Sequence, residues 1–153
     1  MASTTTTTIM ALQELLALHT SRSQAYDTFS RQTTDLAYKP LFEKAALNSD
    51  ASIKGLLIEL SSYGDAAQSQ VDHQQHFLHF WSMLLQALTD KQEGEIKQAG
   101  LLTSLVAAEE ASLKKYTELL TQVSDMPQSV TSLLSRQKEQ LQKQHSEVNT
   151  LLS

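Results

Sequence analysis

The sequence predicts an all-α protein built from four long amphipathic helices and one shorter one. Two observations carry this reading. Residues that interrupt helices are scarce, with 4 Gly and 2 Pro among 153 residues, while Leu, Ala, Gln, Lys and Glu abound. Apolar residues also recur every three or four positions over long stretches, the spacing of one helix face. A chain of this length fits one domain with a proper core.

The first helix is expected from about Ile9 to Gln32. Its inward stripe reads Leu12, Leu15, Leu16, His19, Ser23, Tyr26 and Phe29. The Thr run at residues 4 to 8 is low in complexity, so residues 1–8 read as a disordered tail ahead of a domain spanning 9–152. The second helix runs from about Leu36 to Tyr63, with Pro40 in its first turn, where a missing N–H costs little. Its stripe is Leu41, Phe42, Ala45, Ser49, Ser52, Ile53, Leu56, Leu57 and Leu60, and Gly64-Asp65 marks the stop.

A shorter helix is expected over about 73–88. Asp72 and Gln75 form a capping pattern at its start, and Phe77, Phe80, Trp81, Leu84, Leu85 and Leu88 supply its apolar residues. Asp90 and Glu93 repeat the pattern and open a helix over about 91–122. Its stripe is Ile96, Ala99, Leu102, Val106, Glu109 or Glu110, Leu113, Tyr116 and Leu120. Ser124-Asp125-Met126-Pro127 stops that helix and starts another over about 127–152. The last stripe is Val130, Leu133, Leu134, Gln137, Leu141, His145, Val148 and Leu152. Two helical hairpins joined by one long crossover are the ferritin-like arrangement among helix bundles.

Composition excludes several functions. The formal net charge is −5 and the basic residues are scattered, so no face offers the cationic surface that nucleic-acid phosphates require. The chain has no cysteine, which removes disulfides, thiolate nucleophiles and thiolate metal sites. No apolar run reaches the ~18 residues of a membrane span, and the N-terminus lacks a secretory pattern. A cytoplasmic protein is the expectation. Motifs for phosphate loops, nucleophile elbows and calcium loops do not occur.

The segments L-F-E-K-A-A (41–46), W-S-M-L-L-Q-A-L-T (81–89), A-E-E-A-S-L-K-K-Y-T-E-L-L (108–120) and R-Q-K-E-Q-L-Q-K-Q-H-S-E-V (136–148), taken with the helix order, carry a resemblance over residues 9 to 152. The chain resembles a bacterial family of short ferritin-like four-helix-bundle proteins classed as a domain of unknown function. That resemblance implies a fold and no activity. Di-iron members of the wider superfamily take a Glu from each of two helices and an E-x-x-H pair from each of the other two. No E-x-x-H occurs here, and the nearest case, Gln142 to His145, has an amide where the carboxylate would stand. The inward stripes supply one carboxylate and two histidines, too few for a di-iron centre.

A polar layer is therefore expected at mid-bundle from His19, Ser23, Glu109 or Glu110, Gln137 and His145. It would be hydrogen-bonded and would fix helix register, with the carboxylate paired to a histidine or amide. The competing reading is a mononuclear zinc-type site from Glu109, His19 and His145. A small-ligand cavity beneath Ala45, Ser49 and Ser52 is a third. In V-D-H-Q-Q-H-F-L-H-F-W, His73 and His79 fall about 9 Å apart along a helix, so at most His73 and His76 could share an ion. The expected function is non-enzymatic, without a cofactor or a di-iron site. The protein would act as an interaction or structural, stress-associated component, self-associating as a homodimer or binding another protein.

Overall fold

The structure is a computed structural model that describes residues 4–33, 36–64, 99–122 and 125–152. The described chain is helical, with no strand among those residues. Its helices are α1 (Thr4–Gln32), α2 (Lys39–Ser61), α3 (Ala99–Gln122) and α4 (Gln128–Leu152). The expected crossover helix over 73–88 lies outside the described residues. So do both acidic capping patterns, the Phe77, Phe80 and Trp81 cluster, and His73, His76 and His79.

Short connections make α1 and α2 one antiparallel hairpin and α3 and α4 another. Between the first two, Tyr38 stacks on Phe42 with ring centroids 5.9 Å apart, and Pro40 stands in the first turn of α2. Gly64, at φ 61°, adopts the left-handed backbone that ends a helix at little cost only in glycine. Ahead of α4, the Pro127 carbonyl accepts from the Val130 and Thr131 amides.

Side-chain pairs fix the directions. Glu14 meets Lys115 while Arg22 meets Glu109, so α3 runs antiparallel to α1. Lys44 meets Glu147, Gln137 bonds the Ser52 carbonyl and Ser129 bonds Glu59, so α4 runs antiparallel to α2. The order is therefore up, down, down, up. Because α2 and α3 run parallel, the chain joining them connects opposite ends of the helix set.

The buried residues keep a spacing of four and three. In α1 the ladder reads Thr8, Leu12, Leu15, His19, Arg22, Tyr26 and Phe29, and the buried Thr33 continues it just past the helix end. In α3 it reads Leu105, Glu109, Ser112, Tyr116 and Leu119, and in α4 Val130, Leu134, Gln137, Leu141, Gln144 and Val148. That period is the one that keeps a seam facing its neighbours in left-handed helix packing. Apolar packing forms two clusters. One joins Tyr26, Phe29, Phe42, Leu105 and Val148, with the Phe29 and Phe42 rings 5.2 Å apart. The other joins Leu12, Leu15, Leu56, Leu60, Leu119, Met126, Val130 and Leu134.

Several expectations need correction. α1 begins at Thr4, so residues 4–8 are helical, not part of a tail. Thr8 and Ile9 are buried, and burial at the end of the second cluster outweighs the poor helix propensity of threonine. Leu57 is half exposed, because its place on α2 turns away from α4. Ser23 lies at the edge of α1 and bonds Asp50, and Arg22 takes the inward place beside it.

Candidate functional site

Between the two apolar clusters lies a layer of buried polar side chains from all four helices. Arg22 is at its centre and is fully buried. Its Nε and Nη2 donate to the two oxygens of Glu109 at 2.6 and 2.9 Å, a bidentate fork. Nη1 donates to the Ser49 hydroxyl at 2.7 Å and to the Ala45 carbonyl at 3.2 Å. Nη2 also donates to Gln144 Oε1. One guanidinium on α1 therefore holds α2, α3 and α4. Its Cζ also lies 4.8 Å from the centre of the Tyr26 ring, a cation–π contact that extends the grip into the first apolar cluster.

A second chain of bonds starts at Ser49. The His19 Nδ1 lies 3.0 Å from the Ser49 hydroxyl, and Nε2 lies 2.7 Å from the Tyr116 hydroxyl. Tyr116 donates to Gln137 Oε1 at 2.7 Å, and Gln137 Nε2 donates to the Ser52 carbonyl at 3.1 Å. The tautomer follows from these partners. The single Tyr116 proton is spent on Gln137, so Tyr116 can only accept from His19, and the imidazole proton sits on Nε2. Nδ1 is then an acceptor and takes the Ser49 proton. Every bond runs the same way, from the Arg22 cation through Ser49, His19, Tyr116 and Gln137 to a backbone carbonyl.

Electrostatics fit a neutral imidazole. Burial, and then the Arg22 charge, hold the His19 pKa well below the ordinary 6.5, so the ring is neutral. Burial pushes the Tyr116 hydroxyl far above its usual range, and it stays protonated. Burial likewise raises Tyr26, with the Glu109 carboxylate adding to the effect. Burial opposes the Arg22 charge, but Glu109 more than offsets it and raises the guanidinium above its ordinary value.

The layer resolves the sequence-level ambiguities. Glu109 faces the interior and Glu110 faces solvent. His19 and Glu109 belong to one network, but Arg22 and Ser49 stand between them. His145 does not join it: the ring is half-buried, and Nε2 lies 3.8 Å from Glu110. Its Nδ1 and the Gln144 Nε2 are buried without a hydrogen-bond partner among the described residues. The expected carboxylate partner, a histidine or amide, proves to be an arginine. Among the described residues, no three His, Cys, Asp or Glu side chains converge on a point where a metal ion could sit. The Arg22 guanidinium occupies the space beneath Ala45 and Ser49, whereas Ser52 lines a groove between α2 and α4.

Arg22 and Gln144 are the residues sequence reading missed. Arg22 lies three residues after His19 and four before Tyr26, in line with the stripe, but its charge reads as outward. Gln144 continues the ladder from Leu141 at the same spacing. A hydroxyl at hydrogen-bond distance from an imidazole is also the start of a nucleophilic pair. Here both Ser49 and His19 are sealed from solvent, and His19 Nε2 meets a phenol in place of a carboxylate. The hydrogen bonds orient both side chains within the layer.

No family model matches the chain, and neither a curated protein nor a solved structure is similar to it at a significant level.

Proposed function

We propose that the protein is a ferritin-like bundle that has a salt-bridged polar layer in place of a metal centre. It acts without catalysis in the cytoplasm, as an interaction or structural, stress-associated component. The observation that carries this reading is the Arg22–Glu109 pair. In di-iron bundles inward carboxylates gather around cations. Here the inward carboxylate spends both oxygens on a fixed guanidinium. A divalent ion brought to Glu109 would have to displace that cation or bear its repulsion at close range. The remaining polar groups of the layer are neutral and already bonded to one another across helices, which suits a device that sets register.

Elemental analysis of protein purified without an affinity tag tests the reading. Iron, zinc and manganese should each stay far below one per chain, in wild type and in Glu109→Gln alike. A stoichiometric metal in wild type that is lost in Glu109→Gln or His145→Ala would overturn it.

A further inference from the structure

We infer that the outer face of α2 is the contact surface for a second copy of this chain, docked about a two-fold axis parallel to α2. This rests on the reading above that the protein works through contacts, and it names the surface and the partner. Among the described residues, three of the four most exposed large apolar side chains lie on α2. Leu47 is 67% exposed, Ile58 71% and Leu57 49%. At about 100° per residue, Leu47, Ala51, Lys54 and Ile58 fall on one ridge along the helix. Single exposed apolar residues are ordinary, but Leu47 and Ile58 stand at the two ends of one ridge, with Ala51 and Lys54 between them and charge on both flanks, which marks a contact surface.

The ridge separates two grooves of opposite character. On the α1 side, a groove of about 480 Å³ carries the carboxylates of Glu43 and Asp50, together with Asp27, which is paired with Arg31 at 2.7 Å. On the α4 side, a groove of about 600 Å³ is lined by Arg136 and Lys143, with Glu139 between them. The pairing of Lys44 with Glu147 and of Ser52 with Gln137 sets Lys143 and Arg136 at the level of residues from about 46 to 54 of α2. The carboxylates of Glu43 and Asp50 stand at nearly the same level.

These charges select the symmetry. A two-fold axis parallel to α2 turns the copy over so that its acidic groove covers the basic groove of the first chain, and the reverse. An axis across α2 would lay acid on acid. The parallel arrangement is isologous and closes at two copies. It buries Leu47 and Ile58 on both sides, while the charged flanks set orientation and speed the encounter.

Sedimentation velocity on the full chain is the test, read together with far-UV circular dichroism and melting. Wild type should be a dimer at micromolar concentration. Leu47→Gln with Ile58→Gln should raise the dimer Kd at least about a hundredfold, with helicity and melting of the monomer unchanged. Arg136→Glu with Lys143→Glu should raise the Kd about tenfold, and adding Glu43→Lys with Asp50→Lys should restore it. Because the chain lacks cysteine, Ala51→Cys or Lys54→Cys reports the axis directly. Each should form a disulfide to its own counterpart on mild oxidation, whereas Gln24→Cys on α1 should not. The inference is overturned by a monomeric wild type, or by a dimer indifferent to the ridge substitutions. It is also overturned if those substitutions lower the melting point of a monomer, which would mean that the ridge is covered within the chain itself. None of these outcomes touches the metal-free reading, which elemental analysis decides separately.

Discussion

Removing one partner of the Arg22–Glu109 pair leaves the other charge buried without a counter-ion. Glu109→Ala should therefore cost about 3–5 kcal/mol in urea denaturation, whereas Arg22→Met combined with Glu109→Leu should recover most of the loss. Recovery will be incomplete, because Ser49 and Gln144 also lose the guanidinium. Tyr116→Phe strands the His19 Nε2 proton and Gln137 Oε1 together, and should cost about 1–3 kcal/mol. His19 gives the layer a pH dependence. The unfolded chain takes up a proton near pH 6.5, but the folded chain does so only well below that. This contribution is whole above the unfolded value and is lost as the pH falls through the window beneath it, with a slope of at most ~1.4 kcal/mol per pH unit. Stability curves of wild type and His19→Gln should converge toward low pH, and parallel curves would refute the assignment. His19, Tyr116 and Gln137 were each legible as inward residues from spacing alone, whereas Glu109 was one of two candidates, with Glu110, until its burial decided between them. Arg22 was not legible, because a charged side chain is read outward unless its partner is visible, and that partner is 87 residues away in sequence.

The elements followed their apolar periods, and the errors fell where burial departs from polarity. α1 is buried around a wide arc that includes Ala11, Leu18, Ser21 and Ala25. A stripe drawn through large apolar residues therefore underestimates how much of this helix is covered. Residues 4–8 show the same limit: threonine composition points to a tail, and only contact with another element shows Thr8 to be interior. On α2 the expected stripe was one residue too broad, taking in Leu57. These assignments can be checked by matched truncations. Leu134→Ala, in the second cluster, should cost about 2–5 kcal/mol, while Leu57→Ala should change stability by no more than about 0.5 kcal/mol in the monomer. The partly exposed pair of Glu14 and Lys115, at 2.6 Å, joins α1 to α3, yet its removal should cost less than about 1 kcal/mol.

At the scale of the molecule, two apolar clusters are separated by one polar layer that touches every helix. A helix slipped by one turn could still bury leucine against leucine, but it could not remake the bonds of Arg22. The apolar clusters thus supply most of the stabilisation and the layer supplies uniqueness of register. Wild type should unfold in one transition, with near- and far-UV circular dichroism coincident. In Arg22→Ala the near-UV signal should be lost first, as the two clusters come to lose their packing separately. The one-way run of donors from Arg22 to the Ser52 carbonyl also bears on inheritance. Each member can keep its bond only if the next presents the matching lone pair, so positions 19, 22, 49, 109, 116 and 137 form a linked set. A lineage that replaced any one of them would carry a weakened protein until a second changed in step. In descendants of a common ancestor these six positions should therefore switch together or not at all, while the leucines above and below them drift freely among residues of similar bulk.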